Sequence, residues 1–115
     1  MTISRIIEIL DAHLLTEHAD CSREVHTACG SDMMSDVLAY VKDQAVLLTG
    51  LNNPQVVRTA DMMDMVCIVF VRGKKPDAML ISLAEARGIA VMTTDKTMFT
   101  ACGLLYSQGL QGGVN

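Results

Sequence analysis

Polar and glycine residues suited to holding an anion accompany three apolar runs of this sequence. The runs cover residues 45–49, 66–71 and 89–93. Eight positions at or just after their ends are the candidate ligand-binding residues: Thr49, Gly50, Asn52, Asn53, Arg72, Gly73, Lys74 and Thr94. Arginine and lysine donate charge-assisted hydrogen bonds to phosphate or carboxylate oxygens, and the free amides of a helix start donate as well. The pattern predicts an anion-binding surface. The alternative is ordinary turn and capping chemistry, with Arg72, Lys74 and Lys75 in a solvated loop.

Motifs that position a catalytic group are missing from the sequence. The glycines of the turns are isolated, so there is neither a G-x-x-x-x-G-K-[ST] phosphate loop nor a G-x-G-x-x-G dinucleotide fingerprint, and no G-x-S-x-G nucleophile elbow occurs. Ser31 and Asp32, with His26 upstream, fit a helix cap better than a catalytic set. We therefore predict no catalytic residues and a protein that is not an enzyme. A small enzyme built on these three residues or on a cysteine is the weakest alternative.

The four cysteines do not have the spacing of metal ligands. Cys21, Cys29, Cys67 and Cys102 stand far apart, without a C-x-x-C pair or a histidine at ligand spacing. Cys67 falls in a predicted central strand and Cys102 on the apolar face of the last helix, where a thiol packs as a small hydrophobic group. We predict no metal site and no cofactor.

Charge and composition restrict the possible partners. The chain has 115 residues and a net charge of -4, and it contains two Phe, two Tyr and no Trp. It therefore lacks the basic stripe and the stacking surfaces that nucleic-acid binding uses. No apolar run approaches the ~20 residues that span a bilayer, and the N-terminus lacks the pattern of a signal peptide. We expect a cytoplasmic protein that binds neither nucleic acid nor membrane.

Strand, turn and helix follow one another three times in the second half of the sequence, which is typical of parallel βαβ units. Further strands are predicted over 12–16 and 24–29, and helices from Ile3, from Met33 to Val41, after Asn53-Pro54, after Pro76-Asp77 and after Thr94-Asp95. The predicted fold class is α/β, a three-layer α/β/α domain with a mostly parallel central sheet of about five strands. Because the carboxyl ends of parallel strands share one edge of a sheet, we expect the three turns to meet there.

The chain length fits one domain, predicted over 1–107, and the glycine-rich segment 108–115 is predicted to be a flexible tail. The last helix is predicted to bury five residues, which are Met98, Phe99, Cys102, Leu105 and Tyr106. Met62, Met63 and Met65 are the best candidates for an exposed, self-associating patch, although core filling is the usual role of methionine.

Four segments together resemble the DRTGG domain family in its stand-alone form. They are SDMMSDVL at 31–38, LLTGLNNPQ at 47–55, VFVRGKKPD at 69–77 and FTACG at 99–103. The acidic-basic pair that gives the family its name would fall near Asn52 and Asn53. Its threonine with two glycines would fall near Val71, Arg72 and Gly73, where only Gly73 fits. If the signature binds an anion elsewhere in the family, this chain must use the two asparagines with Arg72.

The resemblance implies a fold similar to the N-terminal domains of MurF and HPr kinase. It also implies a non-catalytic regulatory or sensory module of bacteria that forms a homodimer and binds a nucleotide-like or other anionic small ligand at the C-terminal ends of the strands. The alternative is a structural or accessory protein that docks a partner enzyme, such as a sensor kinase or an iron-sulfur protein, without a small ligand.

Overall fold

A five-stranded sheet forms the middle layer of the protein. The computed structural model describes residues 1–40 and 43–113. The strands are β1 (His13–Leu14), β2 (Thr27–Gly30), β3 (Ala45–Thr49), β4 (Cys67–Phe70) and β5 (Ala90–Thr93). They lie in the order β1-β5-β4-β3-β2, with β2 to β5 mutually parallel and β1 antiparallel to β5. All residues of β3, β4 and β5 are buried, as expected for parallel strands covered on both faces.

Within residues 1–40 and 43–113, five helices cover the two faces of the sheet. They are α1 (Ile3–Leu10), α2 (Met34–Leu38), α3 (Gln55–Met62), α4 (Ala78–Ala86) and α5 (Met98–Ser107). The helices α2, α3 and α4, each connecting two successive parallel strands, pack on the face that carries Leu47, Ile68 and Val91. The helices α1 and α5 pack on the opposite face, against residues such as Leu48 and Met92. This arrangement confirms the predicted three-layer fold with a mostly parallel sheet.

Local capping explains where three of the helices begin. The Thr2 hydroxyl accepts a hydrogen bond from the Arg5 amide at 3.1 Å and starts α1. Asp77 starts α4 by accepting from the Leu80 amide at 3.0 Å, as the Pro76-Asp77 pair predicted. The Thr97 hydroxyl starts α5 by accepting from the Thr100 amide at 3.4 Å. Each side chain satisfies an amide that has no partner inside its helix.

Two aromatic residues of α5 lie outside the core, which corrects the prediction that they are buried. Phe99 is 87% exposed and Tyr106 is 70% exposed, whereas Leu105 of the same helix is buried. The helix packs on the sheet and on α1 through a narrow stripe that includes Ala101 and Leu105. The two aromatic side chains lie on the other side of the helix, so the high apolar content of α5 did not identify its buried face.

The segment after α5 packs against the domain over its described part. Leu110 is buried in the α1–α5 layer, and the Gln111 carbonyl accepts a hydrogen bond from the Ala28 amide at 2.9 Å. Gln111 also forms a parallel bridge with Thr27 at the edge of the sheet. The buried Leu110 thus holds the described part of this segment against the domain, and the flexible tail over 108–115 stays a prediction. Val114 and Asn115 lie outside the described residues, as does Val41, the predicted end of α2.

The methionine cluster at the end of α3 divides between surface and core. Met62 is exposed, Met63 is half-buried and Met65 is buried in the α2–α4 layer. The predicted patch is therefore reduced to Met62 and part of Met63. No helix in the described part of the chain is long and apolar enough to cross a membrane.

Candidate functional site

The three turns predicted to bind a ligand begin at the same edge of the sheet. Thr49 pairs with Phe70, and Phe70 pairs with Thr93, so β3, β4 and β5 end side by side. The amide of Ser31, just after β2, bonds to the carbonyl of Leu48 and brings a fourth loop to this edge. We call this edge, with the loops that follow β2 to β5, the C-terminal rim.

The turn after β4 has an uncommon backbone conformation. Arg72 and Gly73 both have positive φ angles, 60° and 67°, and the amide of Lys74 bonds to the carbonyl of Val71 at 3.2 Å. The Arg72 amide donates to the carbonyl of Lys96 at 2.8 Å, and the Gly73 amide donates to that of Thr94 at 2.8 Å. A positive φ suits glycine but strains an arginine by about 1 kcal/mol. The hydrogen bonds to the loop after β5 hold Arg72 in this strained state.

The Arg72 guanidinium group lies directly over Gly50, the first residue after β3. A Cβ atom on Gly50 would overlap the Arg72 Nη2 atom, well inside van der Waals contact. Gly50 is therefore required for the guanidinium position and not for its own backbone angle, since its φ is not positive. At Gly73, in contrast, both the angle and the nearby Asp95 carboxylate, 3.0 Å from a Cβ there, favour glycine.

Asp32 also belongs to the C-terminal rim, although it was predicted to serve as a helix cap. Its Oδ1 atom accepts hydrogen bonds from the Gly50 amide at 2.6 Å and from the Thr49 hydroxyl at 3.1 Å. Its Oδ2 atom lies 3.9 Å from Arg72 Nη2. The prediction of Asp32 as an α2 cap is wrong, because α2 has no side-chain cap and Asp32 reaches across to the next strand instead.

The two predicted threonines, Thr49 and Thr94, hold the loops of the rim in place through hydrogen bonds of their buried hydroxyl groups. Thr49 is buried, and its hydroxyl accepts from the Leu51 amide at 3.1 Å while it donates to Asp32. Thr94 is also buried, and its hydroxyl donates to the Leu10 carbonyl at 2.7 Å. Thr93, which was not predicted, donates to the Lys74 carbonyl at 2.6 Å. These hydroxyls fix the loops and do not face solvent.

The two asparagines complete the rim on the α3 side. Asn53 Oδ1 accepts from the Gln55 amide at 2.9 Å directly before α3, whose N-cap residue, Pro54, has no side-chain cap. The Asn52 side-chain amide donates to the Lys75 carbonyl at 3.4 Å and joins the β3–α3 loop to the β4–α4 loop. Both asparagines are exposed.

The rim concentrates the positive charge of an acidic protein. Four of the nine Lys and Arg residues belong to its loops, and these are Arg72, Lys74, Lys75 and Lys96. The nearby carboxylates are Asp32, Asp77 and Asp95, of which Asp77 serves as the α4 cap. Together these seven residues give the rim a net charge of +1, and the other residues of the chain have a net charge of -5.

The sequence profile of the DRTGG domain family matches residues 5–107, which is most of the chain. This protein is a member of the DRTGG domain family. Among curated proteins, none matches its sequence. A solved structure with a similar fold is that of the CBS and DRTGG domains of the regulatory region of a pyrophosphatase from Clostridium perfringens, complexed with the activator diadenosine tetraphosphate. The TM-score is 0.75 at 19% identity, and the match covers 90% of this chain but 45% of the other. This DRTGG domain thus spans less than half of that chain, and the likeness concerns the fold.

The groups of the alternative enzyme hypothesis are dispersed in this DRTGG domain. His26 precedes β2 and pairs with Asp43 at 3.2 Å, whereas Ser31 and Asp32 follow β2 at the opposite end. The Ser31 hydroxyl accepts from the Met33 amide at 3.0 Å, which is ordinary turn chemistry. His26 is thus roughly 15 Å along the strand from Ser31, at ~3.3 Å per residue. These three residues do not form a nucleophile, base and acid set.

The cysteines of the DRTGG domain have the environment of packing residues. Cys67 is buried in the α1–α5 layer, and desolvation strongly raises the pKa of its thiol, with a smaller contribution from Cys21. Desolvation, and to a lesser extent Cys29, also raises the pKa of the Cys102 thiol. Among residues 1–40 and 43–113, no three His, Cys, Asp or Glu side chains cluster in a way that could hold a metal ion.

Proposed function

We propose that this DRTGG domain is a non-catalytic regulatory module that binds a nucleotide-like anion at the C-terminal rim. The observation that carries the proposal is the position of Arg72, a half-exposed guanidinium fixed by a strained backbone above the Gly50 turn. Gly50, Asn52, Asn53, Gly73 and Lys74 form the binding surface with it. Thr49 and Thr94 hold this surface from beneath.

The electrostatics of the rim favour an anionic ligand over a neutral one. The only charged partner of Arg72 among the described ion pairs is Asp32 at 3.9 Å, and both side chains are about half exposed. Such exposed pairs stabilise a protein by about 0 to 1 kcal/mol. A phosphate group offers more charge and more acceptor oxygens, so the guanidinium is available to bind one. The adenine nucleotide of the similar regulatory region makes nucleotides the first ligands to test.

The test of this proposal is a comparison of ligand-induced stabilisation. We expect AMP, ADP, ATP or diadenosine tetraphosphate to raise the melting temperature of the wild-type protein, since a ligand at 100 times its Kd stabilises by about 2.7 kcal/mol. Arg72→Asn should abolish the shift, and Arg58→Asn, which removes an exposed arginine of α3, should retain it. No shift with any of these nucleotides, measured to millimolar concentration, would refute ligand binding.

We further propose that the module is a homodimer that associates through the outer face of α5. The helix contains no charged residue, and Phe99, Gly103 and Tyr106 lie on its exposed side at spacings of four and three. Two copies of an acidic chain repel each other least through an uncharged face. Exposed aromatic residues are typical of interface centres, and the glycine between them permits close approach of a second helix.

Sedimentation velocity tests the dimer. The wild-type protein is expected to sediment as a dimer at micromolar concentration, and the double variant Phe99→Ser, Tyr106→Ser as a monomer with an unchanged far-UV spectrum. The control is Met79→Ser, which alters an exposed apolar residue of α4 on the other face.

A second candidate function follows from the same α5 face. If the wild-type protein is a monomer and shows no nucleotide response, the exposed aromatic residues favour an accessory protein that docks a partner enzyme through α5. Cross-linking at position 103 in cells, with the Phe99 and Tyr106 variant as control, would then identify a single partner. We propose a cytoplasmic location for either function.

A further inference from the structure

The Asp32 carboxylate occupies the place at the rim that suits the anion of a ligand. It accepts hydrogen bonds from the Gly50 amide and the Thr49 hydroxyl, and it lies beside the Arg72 guanidinium. A ligand phosphate at this position would need the same donors. A negative side chain already on these donors competes with the ligand and also repels it.

The local structure around Asp32 does not require this placement. Asp32 lies one residue before Met33, the N-cap position of α2, and α2 begins at Met34 with no side-chain cap. The side chain is 53% exposed, so it can turn into solvent when another anion arrives. Its carboxylate accepts hydrogen bonds from Thr49 and Gly50, which lie 17 and 18 residues further along the chain, and not from the nearby start of α2.

We propose that Asp32 is a built-in competitor for the anion site, displaced when a ligand phosphate binds between Gly50 and Arg72. This inference rests on the proposed function and adds a device that sets its affinity and selectivity. A phosphate dianion replaces the carboxylate with a higher charge and more acceptors, whereas a ligand carboxylate offers only what Asp32 already supplies. The rim therefore selects phosphate esters over carboxylic acids of the same size.

Displacement also gives the ligand a structural effect. At the rim, the Asp32 side chain joins the β2–α2 loop to the end of β3 and the β3–α3 loop through its hydrogen bonds with Thr49 and Gly50. Its release removes both of these hydrogen bonds. Ligand binding is thus coupled to the conformation of the β2–α2 loop.

The test is isothermal titration of ADP and of inorganic pyrophosphate into Asp32→Asn. This variant keeps an acceptor oxygen for Gly50 and Thr49 but removes the negative charge. We expect about tenfold tighter binding than wild type, equivalent to about 1.4 kcal/mol. Asp36→Asn makes the same change of net charge on the exposed side of α2 and should alter the affinity less than twofold. Asp32→Ser, with a shorter acceptor, should also bind more tightly if the asparagine variant is unstable.

The outcomes separate this inference from the proposed function. Binding that Arg72→Asn abolishes but Asp32→Asn leaves unchanged or weakens would overturn the competitor role while retaining the anion site. Binding to both proteins that is tighter in Asp32→Asn would support the competitor role. Absence of binding in both the wild type and the Asp32 variants would overturn the site and the competitor together.

Discussion

Replacing Arg72 with asparagine should make the protein more stable while it abolishes ligand binding. Arg72 has a φ of 60°, a left-handed conformation that costs a non-glycine residue about 1 kcal/mol. Asparagine tolerates this conformation better than other residues with a side chain. The substitution also removes the exposed contact with Asp32, which contributes about 0.5 kcal/mol, the middle of the range for exposed ion pairs. The expected net gain is about 0.5 kcal/mol.

Differential scanning calorimetry and urea unfolding of the free protein measure this gain. A change of 1 kcal/mol shifts the melting temperature of a domain of this length by roughly 4 °C, so we expect an increase of about 2 °C. Arg72→Lys is the matched control, because it keeps both the positive charge and the unfavourable angle, and its stability should equal that of the wild type.

The refuting result is a loss of more than 1 kcal/mol in Arg72→Asn. It would mean that the guanidinium stabilises the free protein by more than its backbone strain destabilises it. The strain would then be explained by folding alone, and the main reason to assign Arg72 to a ligand would disappear.

Three further substitutions test the site and the core. Gly50→Ala should leave the free energy of unfolding within about 0.5 kcal/mol of the wild type. Alanine stabilises the fold by lowering the conformational entropy of the unfolded chain, and this gain offsets the loss of the ion pair between Arg72 and Asp32. It should weaken nucleotide binding at least tenfold in calorimetric titration, because its Cβ displaces the guanidinium; unchanged binding would contradict the assigned position of Arg72. Leu48→Ala should lower the free energy of unfolding by about 2 to 5 kcal/mol, because the side chain is fully buried under α1 and α5; a loss below 1 kcal/mol in urea titration would place Leu48 outside the core. Stability should fall as the pH rises above about 8.5, since the unfolded Cys67 thiol ionises there while burial keeps the folded thiol protonated. In Cys67→Ala, the free energy of unfolding should fall with pH less steeply than in the wild type, by roughly 1 kcal/mol per pH unit. An identical slope in the two proteins would refute the raised pKa of the buried Cys67 thiol.

The sequence was most informative where burial is continuous. The strand β3 was predicted with its observed bounds, and β4 and β5 to within one residue, because each is a short β-branched and aliphatic run between turn residues. Their common direction then predicted that the turns after them meet at one edge. Capping by Asp77 was also predictable, since it depends on residues within three positions along the chain.

The parts that were not predicted depend on tertiary contacts. Asp32 has a good local role as a cap, and nothing near it in the sequence indicates that Gly50 and Thr49 will bind its carboxylate. The helix α5 is apolar on nearly every side, so periodicity could not tell its sheet-facing stripe from the face of Phe99 and Tyr106. The binding roles of the eight candidate residues stay predictions.

The bridge between Gln111 and Thr27 affects how copies of this protein can meet. Gln111 takes up part of the hydrogen-bonding edge of β2, and the two-residue strand β1 leaves little length for pairing at the other border. Short or occupied borders hinder the strand-to-strand addition that lets sheets grow from one molecule into the next. Neither described border of the sheet therefore favours extension into the sheet of a second molecule.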